Sequence, residues 1–208
     1  MGRPALTLAR VVSLGLLVVG ASSANPPDAS SEVAVFLHNT VVATPGSVER
    51  AKLLAKNMFA AIGINVVWRP QDADPQPGLN IDVILECHES DEQESGALAQ
   101  AYPFAGVTGH INIRYDRVRS SAGLARDLEP LLLAHVLVHE MTHVLQCLDR
   151  HAETGVMKAH WSAEDYFEMR WKPLAFTPED IELLRLGMQV LRARPANHGA
   201  AGHQSHTP

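Results

Sequence analysis

Leu133–Trp161 reads LAHVLVHEMTHVLQCLDRHAETGVMKAHW. From about Ala125 to Gln146 the chain is apolar nearly all round (Leu131, Leu132, Leu133, Val136, Leu137, Val138, Met141, Val144, Leu145), which predicts a long helix buried at the centre of the fold. Within it stand His139, Glu140 and His143, polar groups that are costly to bury unless something satisfies them. Helix residues four apart point within about 40° of each other, so His139 and His143 lie on one side, one turn apart. That is how two imidazoles hold a single metal ion at ~2.0–2.1 Å. Glu140 is turned about 100° from His139, near enough to reach a water on that ion without ligating it. Zinc lowers the pKa of such a water towards ~7, and an adjacent carboxylate can take its proton. A bare His-Glu-x-x-His recurs by chance. The apolar setting of this one points to a catalytic zinc site with Glu140 as general base.

A third ligand has to come from elsewhere. His135 lies one turn before His139, but three histidines on a straight helix span about 12 Å of rise, so His135 is expected to be a hydrogen-bonded residue beside the site. The candidates are His151, eight residues past His143; Asp149, six past it; and Glu164, twenty-one past it on a possible short helix, SAEDYFEMR.

Upstream, Val33–His38 (VAVFLH) is strand-like. A helix is expected over Ser47–Ala61, with Ser47 as cap, followed by a strand over Ile64–Trp68 after the Gly63 stop. Strand, helix, strand suggests a crossover onto a parallel sheet. Arg69–Gly78 reads as a loop, Asn80–Glu86 as a third strand and His88–Glu94 as a polar excursion. Leu98–Phe104 reads as a strand that Pro103 confines to the sheet edge, and His110–Tyr115 as another strand. Downstream, Thr177-Pro178-Glu179-Asp180 opens a last helix with a threonine cap, proline in the first position and acids in the first turn. The stretch after Arg194 has no apolar period; residues 195–208, including His198, His203 and His206, are expected to form a disordered tail.

Residues 1–24 have the order of a secretory signal: Arg3 and Arg10, then the apolar run Val11–Gly20, then small residues ending at Ala24. Ten apolar residues fall short of the ~20 that span a bilayer. Cleavage after Ala24 leaves 184 of the 208 residues, with 25–194 read as one catalytic domain of secreted or periplasmic location. Loss of the two arginines takes Lys+Arg from 17 to 15 against 23 Asp+Glu, and the formal charge from −6 to −8. An acidic chain without a basic stripe argues against nucleic acid and anionic membrane as partners. Cys87 and Cys147 are the two cysteines, allowing at most one intrachain disulfide, and either could equally be a buried thiol.

The segment HEMTHVLQCLDRHAETGVM resembles the zinc segment of metzincin metallopeptidases, in particular the matrixin-like branch, whose pattern HExxHxxGxxH is followed by a methionine turn. The resemblance implies His139, His143 and His151 as zinc ligands, Glu140 as general base and Met157, in Thr154-Gly155-Val156-Met157, as the turn methionine. GALAQAYPFAGVTGHINI (Gly96–Ile113) is similar to the family's edge strand and the strand after it. The departures are specific. The family glycine falls on Gln146, the segment to the third histidine is two residues longer, and a strict count places Asp149 in the third-ligand position. Gln100 and Asn112 fall where matrixins bind a structural zinc, so one catalytic zinc is expected, and no cysteine-switch propeptide is recognisable.

The expected fold class is α+β: a metzincin-like mixed twisted sheet with an edge strand, a central active-site helix and a C-terminal helix. The implied activity is zinc-dependent endopeptidase action on a peptide or protein lying antiparallel to the edge strand. Trp161, Tyr166, Phe167 and Trp171 come after the methionine turn and suit either a substrate-pocket wall or the core. The alternatives are a gluzincin-type zinc peptidase with Glu164 as third ligand, and an exported zinc-binding module without turnover.

Overall fold

The computed structural model describes residues 32–44, 46–75, 77–87, 96–102, 108–123, 125 and 127–194. The expected signal over 1–24, the polar excursion His88–Glu94, Pro103 and Phe104 of the expected edge strand, and the tail 195–208 lie outside them. Among the described residues five strands form one sheet: β1 (Glu32–Asn39), β2 (Asn65–Arg69), β3 (Leu79–Glu86), β4 (Ala99–Tyr102) and β5 (Thr108–Arg114). Their order is β2-β1-β3-β5-β4. All neighbours run parallel except β4, which lies antiparallel to β5 at one edge. Side chains alternate across a strand, so Val33 and Val35, Ile81, Val83 and Leu85, and Ile111 and Ile113 fall on one face, and all of them are buried.

Helices α1 (Ser47–Ala60) and α3 (Leu128–Gln146) pack on each other and on this sheet. In α1 the buried Ala51, Ala55, Met58 and Phe59 recur at helical spacing. Ser47 is not its cap, as expected from the sequence, but its buried first residue. Gly46 takes the cap position in a left-handed conformation (φ 77°), which glycine adopts without steric cost, and its carbonyl accepts the Arg50 N–H at 3.0 Å. The central helix comes close under the sheet at Gly109, where a Cβ would lie 2.2 Å from Val144 Cγ1. It starts at Leu128 rather than Ala125.

The strand expected over His110–Tyr115 begins two residues earlier and ends one residue sooner, because β5 runs from Thr108 to Arg114 and Tyr115 opens a helix, α2 (Tyr115–Ala122). Its buried residues Tyr115, Val118 and Ala122 are three and four apart, but polar residues between them masked the helical period. The Tyr115 hydroxyl donates to the buried Glu129 carboxylate and accepts the Thr44 N–H at 3.2 Å; Thr44 Oγ1 donates to the second Glu129 oxygen at 3.1 Å. Through these bonds the exposed Thr44 ties the loop after β1 to the buried Tyr115 and to Glu129 at the start of the central helix.

Two further helices complete the described chain, α4 (Ala163–Glu168) and α5 (Pro178–Ala193), each opened by a capping box. The last helix packs on the end of α3, and at Gly187 a Cβ would meet the Leu145 carbonyl oxygen at 2.2 Å. Cys87 is exposed, Cys147 half-buried, and both are free thiols, so the possible disulfide is not formed. No described helix is long and apolar enough to cross a membrane.

Candidate metal centre

His139 and His143 project from the last two turns of α3 with ring centroids 4.7 Å apart. Each has its Nδ1 against a backbone carbonyl: His139 at 2.9 Å from Val156 O, His143 at 3.0 Å from Leu148 O. A carbonyl oxygen can only accept, so each Nδ1 carries the proton and each neutral ring turns an Nε2 lone pair inward. The two Nε2 atoms are 3.1 Å apart. With no proton between them they cannot bond each other, yet this is close to the about 3.3 Å expected for two nitrogens bound tetrahedrally to one ion at ~2.05 Å. Burial, the dominant cause, holds both rings in the neutral form, pushing His139 down to about 4 and His143 below its ordinary value. Neutral imidazoles with Nδ1–H bound to carbonyls are what a divalent metal requires of histidine.

His151 completes the group. Its ring stacks on His139 (5.3 Å, 27°) and stands edge-on to His143 (4.9 Å, 82°). One ligand atom from each of the three lies within 4.8 Å of the others, the one such cluster of three or more among the described residues. Asp149 lines the same cleft without joining that cluster, and Glu164 lies exposed in the first turn of α4, outside the cleft lining. His135 bonds away from the group: its Nδ1 is 2.7 Å from Leu131 O, and its Nε2 accepts the Leu174 N–H at 3.0 Å.

The chain returns from α3 through Cys147, whose left-handed conformation (φ 55°) ends the helix. Glycine is the residue best suited to such an end. The turn therefore falls one residue later than the Gln146 that aligns with the family glycine, and His151 comes four residues after it instead of three. These two shifts account for the two extra residues before the third histidine. Beneath the rings the Thr154–Met157 turn is pinned at Val156, whose N–H donates to Ala175 O at 2.9 Å while its carbonyl receives His139. Gly155 adopts φ 77°, and a Cβ there would lie 2.2 Å from Ala175 O. Met157 is fully buried.

Glu140 faces a cleft of about 860 Å³ lined by His139, His143, His151, Asp149 and the segment from Gly96 to Tyr102. Its carboxylate accepts the backbone N–H of Ala101 in β4; burial is nonetheless the larger influence, with Asp149 adding to it, and raises the group to about 7. Edge strand, carboxylate and histidines thus share one wall. Trp161 and Tyr166 line the cleft, and Trp161 stands edge-on to His139 at 5.6 Å. Phe167 and Trp171 belong to neither pocket wall nor core: they are 61% and 78% exposed and pair with each other. The carbonyls of Val156 and Leu148 carried no sequence signal, since a backbone acceptor is the same in every residue.

No family model matches the chain, and no curated protein matches it. Among solved structures it is similar to archaemetzincin from Methanopyrus kandleri, at 14% sequence identity and a TM-score of 0.50, over 78% of this chain and 98% of that one. The fold is accordingly like that of archaemetzincin: among the described residues, a mixed five-stranded sheet with helices packed on it.

Proposed function

We propose that the chain is a zinc-dependent endopeptidase, exported through the signal read in residues 1–24. The observation that carries this reading is the convergence of three imidazoles, two already fixed as neutral Nδ1–H tautomers, beside a carboxylate in an open cleft. Zinc, when bound by His139, His143 and His151, supplies a Lewis acid that polarises a carbonyl and lowers the pKa of water. Glu140 takes one proton from the attacking water as the new C–O bond forms and hands it to the amine nitrogen as the C–N bond breaks. Among the described residues no strand pairs with the outer edge of β4, and, apart from the Ala101 N–H that Glu140 accepts, that edge offers ladder hydrogen bonds to an extended peptide laid antiparallel to Leu98–Tyr102. A cleft of about 860 Å³ bordered by a strand edge suits a polypeptide better than a small amide. The matrixin-like branch is supported by the sequence resemblance from Gly96 to Met157, and the likeness to archaemetzincin concerns the fold alone.

Zinc content of the purified mature chain, parent beside His151→Ala, with casein cleavage run on both, tests this reading. One zinc per parent chain, lost together with cleavage in the variant, is the expected result. A parent that binds zinc and cuts nothing would leave a zinc-binding module. A variant that keeps its zinc would move the third ligand to Asp149 or Glu164.

A further inference from the structure

The three imidazoles are not held alike. His139 and His143 are each fixed through Nδ1 to a carbonyl, whereas His151 is exposed and its ring contacts are with the other two rings; among the described residues it makes no hydrogen bond. Its place is therefore set by the backbone that carries it. That backbone is tied on one side by Leu148 O to His143, and on the other by the Ala152 N–H to Met157 O at 2.7 Å.

Between these ties stands Arg150, with Nη1 donating to Asp180 Oδ1 at 3.0 Å and Nη2 to Glu179 Oε2 at 2.5 Å. Asp180 is a rigid anchor. It is fully buried, its Oδ2 accepts the Thr177 N–H at 2.9 Å and the Thr177 hydroxyl at 2.7 Å, and its carbonyl accepts Gln146 Nε2 at 3.1 Å. A guanidinium fork on two carboxylates fixes direction as well as distance, which a single point charge does not.

We propose that Arg150 is the positioning residue of the third ligand: by clamping the loop to the start of α5 it presents His151 to the metal held by His139 and His143. This rests on the reading of the three histidines as a zinc site. Metal ligands are ordinarily oriented by a partner on their own ring, and loss of such a partner weakens metal binding by about 10–100-fold. Here the orientation comes from the adjacent residue through the main chain.

The test is the equilibrium zinc affinity of the mature chain, by competition with a chromophoric chelator, for parent, Arg150→Met, Arg150→Lys, His151→Ala and the Arg150→Met/His151→Ala pair. Thermal unfolding of the metal-free forms runs alongside. Arg150→Met is expected to weaken zinc by about 10–100-fold, with Arg150→Lys between it and the parent, and to change nothing further once His151 is gone. A merely structural role would lower the metal-free melting temperature and leave the affinity alone, which overturns the proposal. Equal weakening with and without His151 overturns it too. Should Arg150→Met fail to fold, Arg150→Lys decides: parental affinity in that variant sinks the idea. A parent that takes up no zinc overturns the zinc reading and this inference together, whereas failure of the positioning role alone leaves the parent's zinc intact.

Discussion

Glu140 and His139 are neighbours in sequence with opposite responses to burial. The same low-polarity wall that keeps His139 neutral down to about 4 holds the Glu140 carboxyl protonated up to about 7 when no ion is bound. For the metal-free chain the signs oppose. A histidine whose folded pKa lies below its unfolded value favours the folded state fully above about 6.5, and that advantage is lost as pH falls towards about 4. A carboxyl whose folded pKa is raised works the other way, weakening the fold as pH climbs from about 4.5 to 7. His135 and His143 are shifted in the same direction as His139, so the imidazoles outnumber the carboxyl. Denaturant unfolding of the chelated chain is therefore expected to show stability falling from pH 6.5 towards 4, with His139 alone contributing on the order of 3 kcal/mol. Flat stability across that window would refute the assignment of buried neutral rings. With zinc present, Glu140→Gln is expected to retain the metal and lose about 10²–10⁴-fold in casein turnover. Parental turnover in that variant would remove Glu140 from the mechanism.

At the scale of elements, the site is an assembly of ends: the last turns of α3, the left-handed exit at Cys147, the turn at Gly155 and the start of α5. The 155 turn is the tightest of these joints. Alanine at 155 meets two costs, a left-handed backbone conformation worth roughly 1–2 kcal/mol and a Cβ inside contact distance of Ala175 O. Because Val156 receives His139, a displaced turn also frees the ring. Gly155→Ala is expected to lower the melting temperature by several degrees and to weaken zinc in parallel. Zinc titration at a temperature where the variant remains folded separates the two, and unchanged affinity there would mean that the Val156 carbonyl does not hold the ring. The glycine in HExxHxxG was a misleading guide to spacing here, since the left-handed position had moved to a cysteine, and side-chain identity alone does not reveal which residue will carry a positive φ.

Across the whole molecule, the proposed metal links parts distant in sequence: α3, the loop after it and, through Asp180, the last helix. An ion that binds only the folded chain stabilises it by mass action, about 4 kcal/mol at a thousandfold excess over Kd. Chelation is thus expected to lower the melting temperature, and re-addition of zinc to restore it in a concentration-dependent way. A melting temperature indifferent to chelation would mean that the histidines bind no ion tightly.

Local pattern alone was enough for the buried central helix, the pair His139 and His143 with Glu140 beside them, the strand–helix–strand start and the capped last helix. Each is written in periodicity or in residues a few positions apart, where physical constraints are short-range. The convergence of His151 on the pair, the separation of Asp149 and Glu164 from that cluster, the division of the four aromatics between cleft and surface, and the clamp from Arg150 to Asp180 became visible only in the folded chain. They depend on how a turn at Cys147 and a close approach at Gly187 set helix ends against one another. That is a matter of packing between distant segments, which no local spacing encodes.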